Sequence, residues 1–554
     1  MEKRTILAFA LCFIVLVLWS LFFGPKKDQI SETAKAVDKR LPKEILEAQE
    51  APGSVRPELS QVPDKMISKS VPKVDKKEIE IDTPLFTAIF SNEGPTIESF
   101  KLKKYYQSIE PDSPLVELVR IEKDAGGFLS IGFDDLSSSR NEKITYQADH
   151  ETIRLVPESH PKDLVFRSTT SSGLSINQTF RFYPDRYRID LGIDVINQSG
   201  TPIEGTFTVD LKVLPPPKKG YYSYVGLVAL LNDELEEMKI KKASQEEVVR
   251  GLVDWIAYED DYFISAIIPG NPSNATFKGN LSPSGLLEGT YLPSSVSLDA
   301  SRQVSSHYSL YLGPRDLKIL KESGKKLERA VNFGWFDIIA KPLLHALRFF
   351  YQYVNNYGIS IILLTVLVKI LFWPLTHKSY KSMKEMQKLQ PRMAKIREKY
   401  KNNREQLNKE MMALYKTYKV NPMGGCLPMI IQIPVFFALF RILGNSIELR
   451  HEPFMLWIND LSAPDRLFSF PFSIPFMAPP YGIPVLTLLM GASMFIQQKM
   501  TPTPGDPAQA KIMMFLPIIF TFMFINFPSG LVLYWLVNNI LSIGQQYRIH
   551  KGPA

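Results

Sequence analysis

Lys369 stands inside an apolar run, Ile359-Ser360-Ile361-Ile362-Leu363-Leu364-Thr365-Val366-Leu367-Val368-Lys369-Ile370-Leu371-Phe372-Trp373-Pro374-Leu375. A lysine at the centre of a bilayer-spanning helix costs about 2.5–3.5 kcal/mol on insertion scales. About eight residues separate it from the basic end of the run, roughly 12 Å at 1.5 Å per residue. Its stem can snorkel over roughly half of that distance. Thr365 lies four residues earlier, on the same helical face. Other apolar runs carry Gln432, Gln497, Gln498, Asn538 and Asn539, and Tyr534 and Trp535 sit at mid-depth in the last of them. No Asp or Glu lies deep in any of these runs. A cation set among amides and hydroxyls, with no carboxylate to neutralise it, requires water. The chemistry this points to is electrostatic attraction inside a wet cavity among helices.

Bond-breaking chemistry finds little support. The chain has only seven histidines and no H-E-x-x-H, G-x-S-x-G or G-x-x-x-x-G-K-[ST] pattern. Its two cysteines, Cys12 and Cys426, lie far apart in or beside apolar segments, which excludes a disulfide framework and a cysteine-based metal site. No catalytic residue, metal or cofactor is expected. Tyr221, Tyr222 and Tyr224 could line a sugar site, although packing of a loop explains them as well.

The elements that must hold Lys369 are membrane spans. In 554 residues, 45% hydrophobic and with a net charge of +8, the apolar residues concentrate at the two ends. Lys3 and Arg4 precede a 19-residue apolar run from Thr5 to Phe23 that no A-x-A-like site follows, so 1–24 reads as an uncleaved signal anchor. Five further stretches are long enough to span: 357–376, 423–443, 484–500, 511–527 and 530–546. Between His377 and Val420 there are 13 Lys or Arg against 4 Asp or Glu, whereas between Asn445 and Gly482 there are 2 against 4. The positive-inside rule makes the first loop cytoplasmic and the second exported. Parity then places both termini in the cytoplasm and residues 24–356 outside.

Residues 25–77 are rich in Pro, Lys, Glu and Ser and read as a flexible tether. An all-β sandwich is expected over 78–330. Its clearest signal is the strict alternation of Tyr187-Arg188-Ile189-Asp190-Leu191-Gly192-Ile193-Asp194-Val195, with Ile176, Phe180 and Phe182 on one face of a partner strand. Further strands fit 85–90, 97–102, 206–213 and 296–312, and the stretch 233–249 looks helical. Residues 333–352 form an amphipathic segment with Trp335, Ile339, Leu343, Ala346 and Phe350 on one stripe, suited to the membrane interface.

In the basic loop 377–420, apolar residues recur at Met386, Leu389, Met393 and Ile396, and again at Leu407, Met411 and Leu414 after Asn402-Asn403. That spacing predicts an antiparallel helical hairpin. Pro391 inside the first stripe predicts a kink or break there. The basic face suits anionic lipid, ribosomal RNA or an acidic protein surface.

A set of short strings, in order, carries a resemblance. They are Trp373-Pro374-Leu375-Thr376, Met411-Met412-Ala413-Leu414-Tyr415-Lys416, the run Lys419 to Pro428, Gln432-Ile433-Pro434, Leu456-Trp457-Ile458, Asp460-Leu461-Ser462 and the run Phe527 to Tyr534. Over 357–548 the chain resembles the YidC/Oxa/Alb insertase family, and its exported part resembles the Gram-negative form, in which a β-supersandwich follows the first span. The resemblance implies a polytopic α-helical membrane protein of six spans, with 421–546 holding the remaining four spans of a five-helix insertase core and 547–554 a cytoplasmic tail. It implies a hydrophilic groove open to the cytoplasm and lipid, holding Lys369 where the family usually has arginine, together with Thr365, Gln497 and Asn538. Gln432, Ile433, Pro434, Tyr534 and Trp535 would contact substrate helices. The implied activity is insertion, folding and assembly of bacterial inner-membrane proteins, alone or with the Sec translocon. Partners would be nascent membrane proteins, membrane lipids and the ribosome and signal recognition particle pathway, with no DNA. A secondary transporter and a membrane-tethered carbohydrate-binding protein are the two rival readings, though no internal repeat or intramembrane carboxylate supports the first.

Overall fold

In a computed structural model, most strands from Glu78 to Pro314 alternate buried and wet side chains, while Gly226–Leu231 and Phe263–Pro269 are buried throughout, and together they close the core of the β region. The structure describes residues 60–61, 76–121, 127–135, 144–216, 224–240, 242–243, 245–418, 420, 427–501 and 507–551. The expected signal anchor, most of the tether, Tyr221, Tyr222 and both cysteines lie outside these residues.

The strand Arg188–Asn197 is central. It pairs antiparallel with Leu174–Phe182 on one side and with Arg302–Pro314 on the other. The ladder continues from Arg302–Pro314 through Phe263–Pro269 and Glu246–Glu259 to Ser273–Leu281, Leu287–Pro293, Ile203–Val213 and Leu129–Asp135. Ile189, Leu191, Ile193 and Val195 are buried, each 1% exposed or less. Phe90 meets Phe180 and Phe182, which belong to a strand it does not pair with, at ring distances of 5.1 and 5.7 Å. Two layers therefore share one apolar core.

Two expectations for this region fail. The stretch 233–249 is not helical: Glu234–Glu237 pairs with Gly226–Leu231, and Glu246–Glu259 begins a long strand. Asn232 and Asp233 have φ of 51° and 67°, the left-handed pair that a two-residue hairpin turn needs. The glutamates and lysines that favour a helix by propensity are overruled by the ladder. The stretch 296–312 is two strands, Val296–Leu298 and Arg302–Pro314, split by a turn with Ser301 at φ 58°.

Helix α1 (Leu317–Ser323) starts at Asp316, whose carboxylate accepts the amides of Lys318 and Ile319 at 2.7 and 3.0 Å. In α2 (Asp337–Val354) the fully buried stripe is Ala340, Leu344 and Leu347, while Ile338, Phe349 and Tyr353, and Trp335 in the turn just before the helix, face outward. Asn355 ends α2 in the left-handed region, and Asn356 caps α3 (Tyr357–Leu371) by accepting the Ile359 amide at 3.0 Å. The chain then bends by 66° at Phe372 into α4 (Trp373–Lys399). So the apolar run 357–376 is not one straight helix. Pro374 occupies the first turn of α4, where a proline lacks no bond.

Of the kink or break expected at Pro391, the break does not occur, because α4 runs through it. Pro391 and Gln387 are both exposed, so the carbonyl that the proline leaves without a donor faces outward, where it can be hydrated. Asn403 caps α5 (Arg404–Thr417) by accepting the Gln406 amide at 3.1 Å. The remaining helices are α6 (Leu427–Asn445), α7 (Val485–Met500), α8 (Pro507–Phe524) and α9 (Ser529–Lys551).

Among the described residues no single helix is both long and apolar enough to cross a membrane, but the bent pair α3 and α4 meets that test together. The β region and the helices meet through the loop after α6. The Arg450 guanidinium donates to the carbonyls of Tyr106 and Gln107 at 2.7 and 3.3 Å. Arg348 of α2 reaches both Asp316 and Glu448. The strands thus sit at the end of the bundle where α6 finishes and α7 begins.

Candidate functional site

The bend at Phe372 shapes the site. It turns the end of α3 away from the start of α4 and leaves a pocket of about 330 Å³, open mouth included, lined by Val368, Lys369, Phe372, Leu375, Thr376, Gln432 and Asn538. Helices α3, α4, α6 and α9 each supply part of the wall. Lys369 is the one ionisable side chain among those lining residues. It is only 8% exposed, and its ammonium donates to the Ser542 hydroxyl at 2.6 Å. Ser542 in turn donates to the Asn538 carbonyl at 2.7 Å. Among the described residues no acidic side chain acts on Lys369, and the ammonium's hydrogen-bond partner is a hydroxyl.

Polar groups continue along α9. Gln545 donates to Thr376 at 3.0 Å, and Asn539 donates to Ser493 of α7 at 2.9 Å. Asn538, Asn539, Ser542, Gln545 and Gln546 are all under 9% exposed. Spacings of three and four put them on one face of α9. Ser542, Gln545, Gln546 and Thr376 were missed in the sequence reading. The same 538–542–545 spacing that identifies an apolar stripe finds the three on α9 when applied to polar residues, whereas Thr376, on α4, has no such signal.

The predicted residues do not all gather here. Lys369, Gln432 and Asn538 share the pocket. Thr365 is buried one turn deeper, donating to the Ile361 carbonyl of its own helix at 2.6 Å. Gln497 is part-buried on α7 and does not line the pocket. Gln432 donates to the Tyr534 hydroxyl at 3.1 Å, tying α6 to a tyrosine only 1% exposed. Ile433, 45% exposed, faces outward beside part-buried Pro434. Trp535 packs edge-on to Phe436 at 4.9 Å and near Phe524 at 5.3 Å.

In the helical hairpin, Met386, Leu389 and Met393 of α4 are buried against Val420, with Met411 and Leu414 of α5 packed on them. Ile396 and Leu407, nearer the turn, are half-buried. The hydroxyl of Tyr224 is held by the carbonyls of Leu227 and Met238, 2.5 and 2.8 Å away, so it serves packing.

The family model described as 60Kd inner membrane protein matches residues 349–553, and that of the YidC periplasmic domain matches 78–346. The membrane protein insertase YidC of Syntrophobacter fumaroxidans is 41% identical over the whole of both chains. That of Syntrophus aciditrophicus is 42% identical, again over the whole of both. The chain belongs to the YidC family of membrane protein insertases. A crystal structure of active YidC insertase is 17% identical and covers 86% of this chain and 93% of its own, with a TM-score of 0.36. Membership makes the chain an inner-membrane insertase with a β-rich periplasmic domain. Its substrates are membrane proteins undergoing insertion, which displaces the transporter and carbohydrate-binding readings.

Proposed function

We propose that the pocket around Lys369 is the groove through which this insertase passes the polar segment of a nascent membrane protein. The observation that carries this is a buried ammonium whose hydrogen-bond partner is a serine and whose neighbours are neutral amides. A hydroxyl supports the charge without cancelling it. An acidic residue of a substrate entering the pocket then gains an attraction that no internal carboxylate competes for. As the polar segment moves through, the substrate's apolar helix leaves along the outer face near Ile433 and enters lipid, where burial of its apolar surface drives release.

On this reading six spans cross the membrane, both termini are cytoplasmic, and the β-rich domain and the loop 446–484 lie in the periplasm. The shared contact of Arg450 with the β region supports placing these two on one side. Gln432 and Tyr534 hold the substrate-facing wall in register, Thr365 lies one turn deeper on α3, and Gln497 adds a polar group outside the pocket in the last turn of α7. The helical hairpin receives substrate at the cytoplasmic end, from ribosomes or the signal recognition particle pathway, and the insertase works alone or beside the Sec translocon. No covalent catalysis is required of it.

Photo-crosslinkers at 369, 433 and 534 in ribosome-stalled insertion reactions test this. Adducts to the nascent span at all three sites are expected. Adducts at 433 alone, with 369 and 534 silent, would remove the pocket from the pathway.

A further inference from the structure

We propose that the short β-hairpin of residues 467–483 is a lipid anchor that inserts into the leaflet on the side of the β-rich domain. The sequence Leu467-Phe468-Ser469-Phe470-Pro471-Phe472-Ser473-Ile474-Pro475-Phe476-Met477-Ala478-Pro479-Pro480-Tyr481-Gly482-Ile483 contains no charged residue. Its strands Leu467–Phe470 and Tyr481–Ile483 pair only with each other. Phe468, Phe472 and Phe476 are 69%, 60% and 85% exposed, an apolar cluster that water opposes.

The cluster is held in place rather than loose. Arg466, at the base, donates to the carbonyls of Pro480 at 2.8 Å and Ile525 at 2.9 Å. The Asn526 amide donates to the Phe476 carbonyl at 2.9 Å and accepts from the Ala478 amide at 2.7 Å. These bonds fasten the hairpin to the turn that follows α8. Phe468 and Phe476 are also held at φ of 59° and 65°, a conformation bulky side chains seldom adopt. The backbone is thus fixed so that the rings project outward.

Continuity identifies lipid as the occupant. The hairpin leads directly into α7, whose Leu488 and Leu489 are about half exposed, and it is bonded to the end of α8, whose Ile519 and Phe522 are each 61% exposed. These helices belong to the inner-membrane part of the insertase. Their outward apolar surface runs on into the hairpin, and the charge at the junction, Arg466, is part-buried and spends its donors on backbone carbonyls, which suits interfacial burial of the aromatic side chains.

The test uses the full chain with Cys12→Ser and Cys426→Ser, carrying one cysteine at a time: Phe468→Cys, Phe472→Cys or Phe476→Cys, with Val156→Cys in the β region as a wet reference. Each is labelled with a nitrobenzoxadiazole fluorophore and reconstituted in phosphatidylethanolamine–phosphatidylglycerol vesicles. Nitroxide lipids labelled near the headgroup should quench the three hairpin sites by about twofold or more, and aqueous iodide should quench only residue 156. Iodide quenching at 468, 472 and 476 equal to that at 156 would overturn the proposal. So would protection from both quenchers, which would show that protein covers the hairpin, either residues 1–59 or a second copy.

Discussion

The periplasmic β region and the helical core bury polar groups by opposite rules. In the β region the buried faces are mainly apolar, and most of its ion pairs lie toward the surface, as Arg181 with Asp163 does, with the buried Glu259–Arg315 pair an exception. In the core, α9 buries five polar side chains along one face, and one of them, Ser542, accepts from the ammonium of buried Lys369. A water-soluble domain hides what water rejects. A helical bundle facing lipid on its outside turns its polar residues inward and so builds a path that a polar segment can enter. On the proposed mechanism the difference separates stability, carried by close apolar packing, from function, assigned to the unneutralised charge.

The largest effect expected from breaking this contrast is in the apolar core. Phe180, 2% exposed and packed on Phe90 and Phe166, should cost about 3–5 kcal/mol of β-region stability when changed to alanine. Protease resistance of the exported part in vesicles measures this, and insertion by the core should continue. Loss of insertion along with protease resistance would show that the two regions are not separate in function.

Lys369 is the reverse case. Lys369→Glu should lower insertion of a substrate with an acidic exported segment by on the order of tenfold, about 1.4 kcal/mol, with no change in the β region. Lys369→Arg should keep most of the activity, because arginine keeps the charge. Protease protection of the substrate in a depletion strain reads both, and wild-type insertion by Lys369→Glu would end the electrostatic account.

A subtler effect lies in the one deeply buried carboxylate of the β region that is pushed far up its scale. Burial raises Glu259 to about 7, against the opposing pull of Arg315, 3.8 Å away. Its folded value exceeds its unfolded one, so its contribution is complete below about pH 4.5 and is lost as pH rises through about 7. Denaturant melts of the β region should therefore show falling stability between pH 5 and 8, and Glu259→Gln should flatten that slope.

The smallest effect belongs to the hairpin of α4 and α5. Asn403→Ala removes the cap of α5 and should cost about 1 kcal/mol or less, read as faster hydrogen exchange in its first turn. Lys369 should be unaffected.

Several features could be read directly from the chain because their causes are local. The alternation around Ile189 announced a strand, the heptad spacing from Met386 announced a helical hairpin, and the absence of acidic residues near Lys369 announced a lone charge. Propensity misled at 233–249, where glutamates suggested a helix while the Asn232-Asp233 turn, also local, pointed to a hairpin. At Pro391 the helix continues despite the cost of an interior proline, and the exposed face leaves the orphaned carbonyl open to water.

What remained was decided only in three dimensions. The serine that holds Lys369 lies 173 residues away along the chain, and Gln432 finds Tyr534 across 102. Such pairings depend on how helices cross, and crossing is set by the packing of many side chains rather than by any short pattern. Composition and spacing alone determined that this protein carries an unneutralised lysine in an apolar segment. The bend at Phe372 and the polar face of α9 decided that the lysine lines a pocket, because only the folded bundle brings those distant hydroxyls and amides to its side.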